Sequence, residues 1–85
     1  MAISLKDKIE KIDGQVNLSV TFDSNKISDR RIARAVHKSE QSSGSNGKLY
    51  DMTFIFSRKG ALKGAIDRLR ERFGNKVKLD ITAAA

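Results

Sequence analysis

Eighty-five residues with 39% hydrophobic content supply one small core and not two, so the chain is read as a single domain over 1–85. There is no cysteine and only one histidine. That excludes a disulfide framework, thiolate metal sites and the common His-rich metal sets. The net charge of +7 is uneven: residues 1–25 carry three lysines against four acids (net −1), and residues 26–85 carry fourteen Lys or Arg against six acids (net +8). An excess of that size draws polyanions toward the surface without saying which polyanion.

The opening residues meet charge at Lys6 after no long apolar run, which reads as neither a signal peptide nor a membrane span. A cytoplasmic protein with no membrane partner is expected. Ile3, Leu5, Ile9 and Ile12 then fall at near-helical spacing, with Ser4 as an N-cap and Gly14 as a stop, predicting a short helix over 3–12. Gln15 to Asp23 alternates Val16, Leu18, Val20 and Phe22 against polar residues, the period of a strand with one wet face. Asp23-Ser24-Asn25 reads as a turn.

Over 28–41, Ser28-Asp29 suits a helix start, and at 100° per residue Ile32, Ala35, Val36 and Ser39 share a face. Arg30, Arg31, Arg34, His37 and Lys38 fill the opposite side. The alternative is a strand forming a long hairpin with 48–57, which would put Arg30, Arg34 and Lys38 on the face of Ile32 and Val36. Residues 42–47 are polar and small, and read as a flexible loop with Asn46-Gly47 suited to a tight turn. Lys48 to Ser57 places Tyr50, Met52, Phe54 and Phe56 on one face and Leu49 and Ile55 on the other, as in a central strand partly covered on both sides.

A helix follows from Ser57 to Phe73, with Leu62, Ile66, Leu69 and Phe73 as its stripe and Gly74 as its stop. Lys76 to Thr82 alternates again as a strand, and 83–85 read as a disordered tail. The order α-β-α-β-α-β, with about three strands and two to three helices, predicts a small two-layer α+β sandwich.

Arg30, Arg31, Arg34, His37 and Lys38 form the densest basic constellation, five bases with no interleaved acid. Arginine's planar, permanently charged fork suits phosphate, so this face is the candidate nucleic-acid contact; a solvated helix face is the bland reading. The last helix carries Arg58, Lys59, Lys63, Arg68, Arg70 and Arg72. Lys59, Lys63 and Arg70 flank one side of the apolar stripe and Arg68 and Arg72 the other, as snorkelling stems do, and Lys63 with Asp67 makes an i,i+4 pair. Ser57, Arg58, Lys59 and Gly60 pass from strand to helix and could hold a small anion at free backbone N–H groups. The spacing of a nucleotide-hydrolysing phosphate loop is absent.

The five aromatics all fall on predicted core faces, with only Tyr50 near a strand start, which argues against a stacking platform. His37 has no nucleophile in a recognisable motif beside it, and the paired carboxylates lie at ordinary helix-surface spacings, so no enzyme, no cofactor and no metal is expected. The expected function is a non-catalytic module that contacts a polyanion, nucleic acid first and an acidic protein second. The rival is an assembly component, a homo-oligomer among the options, using an open strand edge or the Ile3/Leu5/Ile9 helix face.

Overall fold

The computed structural model describes residues 5–38 and 42–84. Three α-helices and four strands follow in the order α1 (Leu5–Lys11), β1 (Val16–Asp23), α2 (Asp29–Val36), β2 (Ser42–Asn46), β3 (Leu49–Phe56), α3 (Lys59–Phe73) and β4 (Val77–Ala83). A short 3-10 turn over Gly74–Lys76 links α3 to β4. The strands form one antiparallel sheet in the order β2-β3-β1-β4. From β1 onward the chain is β-α-β-β-α-β, with a strand of each βαβ unit inserted between the strands of the other. This is the split βαβ connectivity known from ferredoxin-like folds.

The expected α+β sandwich is therefore present, with one strand more than expected. Residues 42–47 are not a loop: Ser42–Asn46 pair with Leu49–Thr53, leaving Gly47 and Lys48 as the connection. Gly47 takes φ 66°, the left-handed value a two-residue hairpin needs at its first loop position. A strand written Ser-Ser-Gly-Ser-Asn carries no apolar alternation, so its partner rather than its own pattern imposes the extended state. Residues 83 and 84 are not a disordered tail, and Ala85 lies outside the described residues. Ala83 ends β4, and the Ala84 N–H donates to the Gln15 carbonyl at 3.0 Å.

Residues 29–36 are helical, so the hairpin alternative for 28–41 is wrong. Ser28 caps the helix, its hydroxyl accepting the Arg31 N–H at 3.3 Å, as Ser at an N-cap does. The helix stops well before residue 41. His37 adopts φ 62° and ψ 36°, and its N–H closes the last turn on the Ala33 carbonyl at 2.9 Å. The predicted N-cap Ser4, and Ile3 and Ser39 on their helix faces, lie outside the described residues.

The core lies between the sheet and the helices. Val16, Leu18, Val20 and Phe22 of β1 and Met52, Phe54 and Phe56 of β3 meet Ile32, Ala35 and Val36 of α2 and Leu62, Ile66, Leu69 and Phe73 of α3. Among the described residues no polar or charged side chain is buried. Helix α1 closes the flank beside α3 and β4, burying Ile9 and half-burying Leu5 against the body. The opposite face of the sheet is open. Strand β3 is interior to the sheet but covered on one side only, with Asp51 exposed and Leu49 48% exposed.

Candidate functional site

Helices α2 and α3 pack antiparallel, since Arg31 meets Phe73 while Ala35 and Val36 meet Arg68. The Arg68 guanidinium donates from Nε to the Ala35 carbonyl at 2.6 Å and from Nη2 to the Val36 carbonyl at 3.4 Å. A cation on the last carbonyls of a helix satisfies groups that have no intrahelical partner and complements the helix dipole. Gly64, one turn earlier in α3, makes room for it: a Cβ there would stand 3.2 Å from Arg68 Nη1.

Where the other ends of the two helices meet, Arg31, Arg34 and Arg72 line an open groove of about 370 Å³ over Phe73. The Arg31 guanidinium carbon lies 5.3 Å from the centroid of the Phe73 ring. That contact contributes about 0.5–1 kcal/mol at an exposed site and aims the remaining donors outward. All three arginines are exposed, and among the described residues none has an acidic partner.

The five residues predicted as one face do not stay together. Arg31 and Arg34 join the groove. Arg30 is exposed on the same helix but does not line it; its backbone N–H donates to Asp29 Oδ1 at 2.7 Å. His37 is the left-handed residue that ends the helix. Lys38 lies beyond that stop, its ammonium 5.1 Å from the Phe56 ring centroid. The sequence places Arg72 on the flank of the α3 stripe; that flank faces α2, and only the packing of the two helices brings it to Arg31 and Arg34.

At Ser57, Arg58, Lys59 and Gly60, α3 begins with Arg58 in the N-cap position and no side chain capping it. Those four residues form a bare helix start, an arrangement any helix can show. Lys63 does not pair with Asp67. It donates to Glu10 of α1, and Asp67 instead takes Lys6 at 3.2 Å. The Lys63 hydrogen bond and charge, with Lys59 adding to them, hold the Glu10 carboxyl below its ordinary value.

No family model, curated protein or solved structure matches the chain. What the groove can hold follows from its own chemistry. Three guanidinium groups present planar forks that match phosphate oxygens in pairs, across a surface open enough for a chain to pass. The open sheet face offers something different: Asn17, Ser19 and Thr21 of β1 beside Asp51, Thr53 and Ile55 of β3. A four-stranded sheet that binds RNA on its face does so with aromatic rings on its strands. Here the rings point into the core, and Tyr50 stands half-buried, edge-on to Phe22 at 5.7 Å between centroids.

No helix among the described residues is long and apolar enough to cross a membrane.

Proposed function

We propose that this protein is a non-catalytic binding module that holds nucleic acid by its phosphates in the groove between α2 and α3. The observation that carries this reading is the convergence of Arg31, Arg34 and Arg72, from two helices, around Phe73 with no acidic partner among the described residues. Such a groove neutralises phosphates and releases their counterions, which supplies affinity that falls steeply with salt.

The test is an anisotropy titration of labelled single- and double-stranded oligonucleotides at low and near-physiological salt, with the Arg31→Glu/Arg34→Glu variant beside the parent. Saturable binding that persists at the higher salt and is lost in the variant is the expected result. Binding that ignores the variant would sink the reading. An acidic protein partner would then take precedence.

A further inference from the structure

Where β1 ends and β3 and β4 begin, the structure holds a recess of about 220 Å³. Phe22 and Val77 form its inner wall, each no more than 8% exposed. Leu49, on its rim, is the single exposed large hydrophobic among the described residues. Lys26, Lys76 and Lys78 line the same opening; all three are exposed, and among the described residues none is in an ion pair. Asp23 is the one acid on its wall, and its carboxylate already accepts the Asn25 N–H at 2.9 Å.

An apolar wall ringed by three ammonium groups is complementary to a ligand with an apolar ring and an anionic appendage. The volume decides its size: sites for drug-sized ligands run to about 300–1,000 Å³, so this recess takes one ring system. We propose that it receives a single unpaired nucleotide, the base against Leu49 and Val77 and the phosphate among Lys26, Lys76 and Lys78. Lysine meets phosphate as a point charge and tolerates varied approach, which suits a backbone whose position is set by its base. A base inside a duplex has no free face to offer, so a polymer that fills this recess is single-stranded there.

The recess and the arginine groove lie at the same end of the molecule, where β1 leads into α2 and α3 leads into β4. Phe73 of the groove precedes Lys76 by three residues, and Lys26 precedes Arg31 by five. A strand with phosphates on Arg31, Arg34 and Arg72 would have the recess at the same end of the body, as the proposal requires. This rests on the nucleic-acid reading of the groove and narrows it to single strands; a free nucleotide is the other source of the same chemistry.

The experiment is amide NMR of the isotopically labelled protein with adenosine monophosphate, a single-stranded oligonucleotide and its duplex, repeated on Leu49→Ser. The expected result is that the mononucleotide and the single strand shift Leu49 and Val77. The single strand should also shift Arg31 and Arg34, and the duplex should shift Arg31 and Arg34 alone. Leu49→Ser should weaken the single strand about fivefold or more, on the scale of one lost base contact, and leave the duplex unchanged. Oligonucleotides that shift Arg31 and Arg34 but never Leu49 or Val77 would overturn the recess and leave the groove standing. Shifts of Leu49 and Val77 by the mononucleotide, with no oligonucleotide bound, would assign the recess to a free nucleotide and overturn the groove. No shift with any probe would overturn both.

Discussion

The flank built by α1 and the end built around Phe73 both carry many charges, and they use them in opposite ways. On the α1 side three ion pairs cross between elements: Lys6 to Asp67 at 3.2 Å, Lys8 to Asp80 at 3.3 Å, and Lys63 to Glu10. Those bases are matched and fasten the helix to α3 and β4. Around Phe73, Arg31, Arg34 and Arg72 have no acidic partner among the described residues. A net charge therefore misleads as a guide to binding; unmatched charge on one surface is the better one. Exposed pairs contribute only about 0–1 kcal/mol each, so the matched side is a modest clasp.

Four experiments would break or sharpen that contrast. Reversing Arg72 to Glu should cost about tenfold or more in oligonucleotide affinity and flatten its salt dependence, while reversing Lys6 should change affinity far less. Equal losses from the two would erase the distinction between the sides. Next in size, Arg68→Ala should destabilise the fold by about 1.5–3 kcal/mol in urea unfolding, because it removes a charged hydrogen-bond donor from two carbonyls. Lysine there should recover only part of the loss, since it lacks the fork.

His37→Gly should stabilise by up to about 1 kcal/mol, relieving a left-handed conformation that costs an L-residue, and should leave affinity intact. A loss of affinity would return His37 to the interface. The smallest effect is at Glu10, whose folded-state carboxyl is held below its ordinary value of 4.5 by Lys63. A depressed value contributes stability that is complete above the ordinary value and lost as pH falls through the folded one. Glu10→Gln should therefore shrink the stability difference between neutral pH and about pH 3 in urea unfolding. An unchanged difference would mean that this pair does not fasten α1.

The parts of the fold with a one-sided apolar pattern were legible in the sequence. Val16 to Phe22, Met52 to Phe56 and the Leu62–Phe73 stripe announce their own period and their own buried face. Strand β2 was not, because Ser42–Asn46 takes its conformation from β3 and spends no apolar residue doing so. The stop of α2 was hidden too: nothing before residue 37 requires it, and a histidine rather than a glycine takes the left-handed position. Half of the groove was readable, as Arg31 and Arg34 sit together in the chain. Arg72 and Phe73 lie about forty residues away, and the recess lysines are split between the β1–α2 connection (Lys26), the α3–β4 connection (Lys76) and β4 (Lys78). No pattern within one segment can report a meeting that helix packing creates.

The position of β1 fixes the order in which this chain can become a folded body. Val16 is aligned with Phe56 on one side and with Ala83 on the other, so the first strand made is the one that needs the latest partners. During synthesis the β2–β3 hairpin can close locally, but the central strand waits with Leu18, Val20 and Phe22 unburied until β4 has emerged. Long-range pairing of this kind slows folding and lengthens the exposure of apolar strand surface. A chain cut short before residue 77 lacks an edge of its sheet and half the wall of its recess, and belongs to quality control rather than to function.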